Sequence, residues 1–444
     1  MMTHFKSKQA WAAQQLANII ADTALLNSIL LIMSTGVMAV SGFIFWYVSA
    51  RLYTPAQLGL SSTLIAAATT LALFSMLGFD NVLVRFLPTA KKPNRVIDTG
   101  IMITILASII LSVIFILALS SVSPSLNSLL FSPLHKLIFV LSLVFVTINT
   151  ITDSIFISFR STKYILFANT GLSFGKVILP LLLVASGAYG LFIAYAVSVT
   201  IASLMSLYFL RRKYDYIFKP HIDRTVLREV RHFSAGTYTS NMVAVIPMTA
   251  LPIIVTNTLG SEQAAFFNLA MTIAAMLFIV PKSMANSLFA EGAKNAQSFR
   301  RQTFRTTSQA ALLLIPAVAV LLVGGHFLLS IFGTSYAVGA TSALQVLALS
   351  SLGLGLNAIA QTILKVRHRL LPLFLIQSIG TVITVFLCWP LARSYGATGA
   401  AWAWLIGQYV MAALHAVTIA RINRNPSPVP ATQSLKNRSQ EVMS

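Results

Sequence analysis

The chain has 444 residues, of which 57% are hydrophobic and only 9% are charged, and its mean hydropathy is +0.81. A soluble domain carries about 25% charged residues, so this composition excludes an ordinary soluble enzyme or binding module. The formal net charge of +21 raises the alternative of nucleic-acid binding, which depends on where the 31 basic residues lie. The composition predicts a membrane protein.

Long apolar segments separated by short loops follow one another along the chain. About 20 apolar residues cross the hydrocarbon core as an α-helix, and these runs are too long for barrel strands. The sequence therefore predicts an all-α polytopic membrane protein with about 12 transmembrane helices. Their approximate ranges are 24–50, 57–84, 98–119, 137–159, 164–186 and 190–210, then 236–257, 264–288, 308–330, 340–364, 370–391 and 397–420.

The basic residues fall on alternate loops. The loops on one side carry most of them, whereas the loops on the other side hold Arg51, Lys136 and Arg393 alone. Short loops rich in Lys and Arg stay in the cytoplasm, so we expect both termini to be cytoplasmic. Since this topology and the attraction of anionic headgroups account for the charge, we predict no nucleic-acid partner.

The second half of the chain repeats features of the first. Gln57 precedes the second span and Gln263 the eighth, a displacement of 206 residues, and the same displacement relates Tyr189-Gly190 to Tyr395-Gly396. These matches predict a duplication of a six-span unit. Because each unit has an even number of spans, the two lobes have the same orientation in the membrane.

The predicted domains follow from the spans and the duplication. Asn425 and the prolines after it cannot continue a helix and indicate a disordered tail. The domains are an interfacial amino-terminal segment at 1–23, a six-helix lobe at 24–210, a basic cytoplasmic connector at 211–235, a second six-helix lobe at 236–421 and the tail at 422–444.

Several motifs resemble those of polysaccharide flippases. In the first half they are RLYTPAQLG at 51–59, LGFD at 77–80 and VRFLP at 84–88. In the second half they are IFGTSY at 331–336 and YGATGAA at 395–401. The chain thus resembles a branch of the multidrug/oligosaccharidyl-lipid/polysaccharide exporter superfamily over nearly its whole length.

The resemblance implies a fold and a function. It implies two parallel six-helix lobes around a central cavity, with alternating access that moves a polyprenyl-diphosphate-linked oligosaccharide from the cytoplasmic to the outer leaflet. It also implies a transporter without a cofactor, acting as a monomeric unit in the cell membrane of a bacterium or archaeon, for surface polysaccharide synthesis. Membrane lipids and the glycan polymerase machinery are the further partners that it suggests.

Ionisable residues inside the predicted spans are the candidates for the substrate site. A charge at mid-membrane costs about 2.5–3.5 kcal/mol on insertion scales, so each one needs a reason. Lys176 would contact the diphosphate, or else form a structural pair with Asp153. Asp153 is itself a further candidate for the substrate site, where it would carry a coupling proton or only pair with Lys176. Arg85 would attract the diphosphate or anchor its helix at the interface.

Two further groups of polar residues have two interpretations each. Asp80 and Lys282 occupy matching positions in the two halves, so they form a cytoplasmic gate or are independent snorkelling residues. Polar amides within the spans contact sugar hydroxyls or bridge helices. These amides are Asn241, Asn268, Asn357 and Gln361.

Two other functions remain in view: an ion-coupled exporter of drugs or organic cations from the same superfamily, and a membrane sugar polymerase or acyltransferase. Organic cations favour carboxylates in the cavity, and the spans offer only Asp80 and Asp153. A polymerase needs a sizeable outer loop, whereas the longest such connection, at 120–135, is short and almost uncharged. The sequence has no metal-ligand spacing and no phosphate-binding loop, so we predict no enzymatic activity.

Overall fold

The structure, a computed structural model, describes residues 23–90, 92–292, 299–367 and 369–424. Within these ranges all regular secondary structure is helical. The first half contains two short 3₁₀ turns, Leu87–Thr89 and Val184–Ser186, and eight α-helices. These are α1 (Thr23–Leu52), α2 (Pro55–Ser75), α3 (Phe79–Phe86), α4 (Pro93–Val122), α5 (Pro124–Leu129), α6 (Pro133–Ser158), α7 (Lys163–Leu182) and α8 (Gly187–Tyr214).

The second half contains five longer helices. They are α9 (Arg224–Leu259), α10 (Ser261–Gly292), α11 (Phe299–Ser330), α12 (Thr334–Val366) and α13 (Leu370–Arg424). The predicted segments 1–23 and 422–444 lie almost entirely outside the described residues.

The last helix contains two membrane spans. A continuous helix of 55 residues would be about 80 Å long, far more than the roughly 30 Å hydrocarbon core. The backbone leaves the helical region at Tyr395 (φ −128°) and Gly396 (φ +62°), so the chain turns back there. In the described part of the chain, 11 helices are long and apolar enough to cross a membrane. Counting α13 twice confirms the predicted 12 spans.

The predicted second span, 57–84, is interrupted. Leu77 and Gly78 have φ angles of +48° and +81°, a left-handed conformation that stops a right-handed helix. The span therefore ends at Ser75, and α3 starts as a separate helix with Asp80 in its first turn.

The helices form two lobes. In the first, α7 packs between α1 and α8, and α6 packs against α4 and α8. In the second, α12 packs against α10, α11 and α13. The two lobes meet where α2 contacts α9 and α10. We call the side that carries residues 23 and 424 the terminal side, and the opposite side the distal side.

The duplication is visible in the backbone, although its register differs from the predicted one. Gly187 (φ 56°, ψ −142°) and Gly396 (φ 62°, ψ −147°) have the same unusual conformation, and each lies against a glutamine in the first turn of the facing helix, Gln57 of α2 or Gln263 of α10. The displacement at this point is 209 residues, so the predicted match of Tyr189 with Tyr395 is three residues out of register. The left-handed glycine defines the equivalence, since a side chain disfavours this conformation.

The segment between the lobes is anchored to the first lobe. The α8 helix continues to Tyr214 and α9 starts at Arg224, so helices occupy much of the predicted connector 211–235. The intervening loop brings the Tyr216 hydroxyl within 2.6 Å of an Asp98 carboxylate oxygen, which also accepts a hydrogen bond from the Lys219 backbone N–H. Burial and the neighbouring carboxylate of Asp98 raise the pKa of Tyr216, so its hydroxyl stays protonated and donates.

We expect a Tyr216→Phe variant to unfold at a lower temperature than the parent protein. Tyr216 and Asp98 are 4% and 5% exposed, and removing one partner of a buried polar pair costs about 1–3 kcal/mol. Thermal unfolding in detergent measures the effect. Tyr208→Phe is the matched control, because Tyr208 is exposed on α8, the helix that precedes the loop of Tyr216. Equal unfolding temperatures of the two variants would contradict a role for this contact.

Candidate functional site

The lobes are in direct contact on the distal side. Gly59, near the start of α2, lies so close to α10 that a β-carbon there would overlap with the carbonyl oxygen of Ser261. One turn further along, the Asn268 side-chain amide donates to the Ser62 hydroxyl at 2.7 Å. A glycine at the contact lets two helix backbones approach closely. The distal ends of α2 and α10 therefore form the tightest part of the inter-lobe interface.

Further hydrogen bonds surround this contact. The Thr63 and Thr256 hydroxyl oxygens are 3.0 Å apart, and the Arg51 guanidinium donates twice to the Ile331 carbonyl oxygen, at 2.6 and 3.0 Å. The Ser123 hydroxyl donates to the Asn257 side-chain oxygen at 2.7 Å. The Thr249 hydroxyl donates to the Ala66 carbonyl oxygen at 3.4 Å nearer mid-membrane, and the other inter-lobe hydrogen bonds named here lie in the distal half. The described residues thus show the two lobes closed on the distal side.

Below this closed region a cavity of about 190 Å³ separates the lobes. Its wall includes the hydroxyl or amide groups of three polar side chains, Ser62, Asn268 and Thr272. It also includes the indole ring of Trp46. Pro247 and Pro252 in α9 are also in the wall; each removes a backbone hydrogen bond from that helix. Most of the wall is apolar and includes Ile65, Met248, Phe267 and Met271. No lysine or arginine among the described residues lines this cavity, so its lining is uncharged, with a few polar groups.

A second cavity of about 280 Å³ lies nearer the terminal side, between α2, α3 and α9. Asp80 and Asn81 line it, and the Asn81 amide donates to the Asp80 carboxylate at 3.0 Å. The break at Gly78 places Asp80 here, because α3 starts with a new direction after α2 ends. Among the described residues, Asp80 is the one carboxylate that lines either cavity.

Lys176 lies within the first lobe and lines neither cavity. It is partly buried in α7, and its ammonium nitrogen lies 5.0 Å from the centroid of the Tyr195 ring in α8. Asp153 in α6 is also partly buried, and one of its carboxylate oxygens is buried without a hydrogen-bond partner. Among the described residues Lys176 and Asp153 form no ion pair, since Arg95–Asp223 is the salt bridge found there.

The other predicted site residues lie apart from one another. Arg85 is exposed at the end of α3 with its guanidinium 5.5 Å from the Phe86 ring centroid. Lys282 is exposed on α10, and the described residues contain no ion pair between it and Asp80. The structure thus brings together none of the five candidates in one site, and the Asp80–Lys282 gate stays a prediction.

The amides that the sequence singled out divide between the two predicted roles. Asn268 lines the inter-lobe cavity, whereas Asn357 and Gln361 bond to α13 inside the second lobe. The side chain of Asn241 lies outside the described part. Sequence reasoning missed Thr272 as a lining residue, although its spacing of four from Asn268 places both on one helix face.

Solved membrane transporters share this architecture. The lipid II flippase MurJ in an inward-closed conformation has a TM-score of 0.67 and 15% identity, covering 89% of this chain and 87% of that one. An inward-facing multidrug resistance MATE transporter has a TM-score of 0.61 and 16% identity, covering 90% and 96%. A MOP-superfamily transporter from Pyrococcus furiosus has a TM-score of 0.59 and 16% identity, covering 90% and 95%. These likenesses confirm the two-lobe all-α fold.

Sequence families give the closer relationship. A comparison with curated protein sequences gave no match. The MatE family matches residues 239–390, and the family described as "Polysaccharide biosynthesis protein" matches residues 24–290, more than half of the chain. The chain therefore belongs to the polysaccharide biosynthesis protein family and is a multi-pass membrane transporter of the multidrug/oligosaccharidyl-lipid/polysaccharide exporter superfamily.

Proposed function

We propose that this transporter is a flippase for a polyprenyl-diphosphate-linked oligosaccharide in surface polysaccharide synthesis. The observation that carries the proposal is the uncharged lining of the inter-lobe cavity, where the hydroxyl and amide groups of Ser62, Asn268 and Thr272 lie beside Trp46 in a mainly apolar wall. Hydroxyl and amide groups hydrogen-bond sugar hydroxyls, and an aromatic ring packs on the apolar face of a sugar. The similarity to a lipid II flippase supports the same class of substrate.

The proposed cycle uses the two sides of the molecule in turn. The basic loops predict that the terminal side faces the cytoplasm. With the distal side closed, the sugar head enters between the lobes from the cytoplasmic leaflet while the lipid tail stays in the bilayer. Opening of the distal contacts and closure of the terminal side, where Asp80 and Lys282 would then meet, deliver the head to the outer leaflet. The polar side chains of the inter-lobe cavity replace water around the sugar head during the crossing.

A second candidate is an exporter of organic cations. Asp80, a carboxylate in the terminal-side cavity, and the match to the MatE family favour it. The flippase is preferred because the polar groups that line the inter-lobe cavity are uncharged, whereas an organic cation gains most from facing carboxylates. Resistance of expressing cells to cationic drugs, with normal surface glycan in a deletion strain, would support the exporter instead.

Lys176 as a diphosphate contact is a prediction from the sequence; because Lys176 lines neither cavity in this conformation, the contact would form in another state of the transport cycle. A charge-assisted hydrogen bond contributes about 1.5–3 kcal/mol, so we expect Lys176→Ala to lower glycan export by about tenfold or more. Lys163→Ala is the matched control, because Lys163 is on the same helix and its ammonium also lies over a tyrosine ring, that of Tyr164. Undiminished export by a correctly inserted Lys176→Ala protein would remove this contact from the account.

The functional assignment is tested by deleting the gene in its native host. We expect lipid-linked sugar repeats to accumulate in the cytoplasmic leaflet, where they are inaccessible to a glycosidase added to intact cells. Re-expression of the parent protein provides the control. A deletion strain with normal surface glycan and no accumulated lipid-linked sugar would refute the assignment.

A further inference from the structure

The loop that joins the two lobes on the terminal side is held against α4. It covers residues 215–223, between α8 and α9. Besides the buried Tyr216 contact described above, the Asp223 backbone N–H donates to the Thr99 hydroxyl at 3.0 Å. A salt bridge of 3.3 Å also joins the Asp223 carboxylate to the Arg95 guanidinium. Contacts near both ends of the loop therefore fix it to the first lobe.

These contacts place the loop at the edge of the membrane. Its partners Asp98 and Thr99 are the first residues of the predicted third span, 98–119. The preceding helix, α8, has 28 residues and is therefore about 42 Å long, close to the roughly 40–45 Å thickness of a bilayer with its headgroups. The last turn of α8 is basic, as expected at the headgroups. The loop thus lies at headgroup depth on the terminal side.

Large apolar side chains are exposed on this loop. The exposed fractions of Ile217, Phe218 and Ile222 are 62%, 37% and 38%. These residues lie outside the spans, so the exposure is not explained by a lipid-facing helix surface. At headgroup depth, apolar side chains insert into the boundary between the headgroups and the acyl chains. The exposed side chains are therefore suited to contact with the bilayer.

Basic side chains flank the apolar ones. Of the two acidic residues in the stretch 211–224, Asp223 is in the salt bridge with Arg95, and Asp215 is exposed. Positive charge next to apolar side chains is the combination that favours a membrane surface with anionic headgroups. The basic residues of the stretch, all of them exposed, are Arg211, Arg212, Lys213, Lys219 and Arg224.

We propose that residues 211–224 form a docking surface for anionic phospholipids of the leaflet on the terminal side. Ile217, Phe218 and Ile222 insert between the headgroups, and the flanking lysines and arginines contact the lipid phosphates. Charge complementarity selects anionic over zwitterionic lipid. None of the residues 211–224 lines either cavity, so the phosphate of a bilayer lipid is the ligand, and not the diphosphate of the proposed substrate.

A bimane fluorophore on Ile217→Cys tests the insertion. The purified protein is placed in nanodiscs of phosphatidylcholine and phosphatidylglycerol, which leave both membrane faces open to solvent, and the native Cys388 is buried. We expect nitroxides on the upper acyl chain to quench the fluorophore and aqueous iodide to leave it bright. Asn94→Cys, at an exposed polar position at the start of α4, is the control that iodide should quench. Equal iodide quenching at the two positions would overturn the proposal.

The same fluorophore tests the choice of lipid. Nitroxide-labelled phosphatidylglycerol should quench it about twofold more strongly than labelled phosphatidylcholine at equal mole fraction, because basic residues enrich anionic lipid locally. Adding Lys213→Gln and Lys219→Gln should remove most of this preference. Arg301→Gln with Arg424→Gln, which removes two exposed basic groups from the terminal side of the second lobe, should preserve it. Equal quenching by the two lipids in the parent protein, or equal preferences in the two double variants, would contradict the proposal.

Unlabelled polyprenyl diphosphate distinguishes the two sources of phosphate. Added at a mole fraction far below that of phosphatidylglycerol, it should leave the quenching unchanged. Displacement of labelled phosphatidylglycerol by this trace amount would assign the surface to the transported lipid and overturn the proposal. None of these measurements involves transport, so their results are independent of the flippase assignment.

Discussion

Oxidation of a protein carrying both Thr63→Cys and Thr256→Cys is expected to abolish glycan export, and a reducing agent should restore it. The two hydroxyl oxygens are 3.0 Å apart on α2 and α9, which belong to different lobes. Sulfur atoms at these positions need only a small shift to reach a bond length of about 2.05 Å. The disulfide would hold the distal side closed, and substrate could then not leave towards the outer leaflet.

Each single cysteine variant, treated with the same oxidant, is the control for this experiment. The native Cys388 is buried and remains in all the proteins. Cross-linking is confirmed from the electrophoretic mobility of the protein after cleavage in the loop between the lobes. Full export by the cross-linked protein would show that this interface does not open during transport.

A Gly59→Leu substitution is expected to lower export by a comparably large factor, but by holding the distal side open instead of closed. The new side chain would overlap with the α10 backbone at Ser261, and the backbone, unlike a flexible side chain, cannot rotate away. Forcing extra atoms into a close-packed contact costs about 1–3 kcal/mol, enough to shift a two-state equilibrium by about tenfold to a hundredfold. The distal side should therefore stay open and export should fall by at least that factor.

Labelling of Thr256→Cys by a maleimide that cannot cross the membrane measures this opening. The thiol should react faster in the Gly59→Leu background than in the parent one. Gly42→Leu is the matched control: it makes the same change in a neighbouring helix, α1, where no atom lies within 4 Å of the new β-carbon. Equal labelling rates and normal export in both variants would show that Gly59 does not control the closed state.

The membrane architecture was predictable from the sequence because it depends on averages over many residues. The length and hydropathy of the apolar runs gave 12 spans, and the turn at Tyr395 and Gly396 divides α13 where the hydropathy pattern placed a loop. The break in the second span was not predictable, because a left-handed backbone at Leu77 and Gly78 interrupts a stretch that remains apolar. Hydropathy does not report the direction of a helix.

The candidate site was predicted less well for a related reason. Charged residues stand out in an apolar sequence, so Lys176 and Asp153 were selected by their depth in the membrane. Lining of a cavity depends instead on the rotation of each helix and on how the lobes meet, which selects neutral residues such as Ser62 and Asn268. The contact between His415 and Asn357 was not predictable either, since the two residues lie on different helices and are 58 positions apart in the chain.

Movement of the substrate class across a membrane by the purified protein tests the central claim most directly. The protein is reconstituted in vesicles whose two leaflets both contain a polyprenyl-diphosphate oligosaccharide, and a glycosidase is added outside. We predict that all of the oligosaccharide becomes accessible with the parent protein, and that only the outer half does so when residues 63 and 256 are cross-linked. Accessibility limited to the outer half with the active, uncross-linked protein would contradict the account.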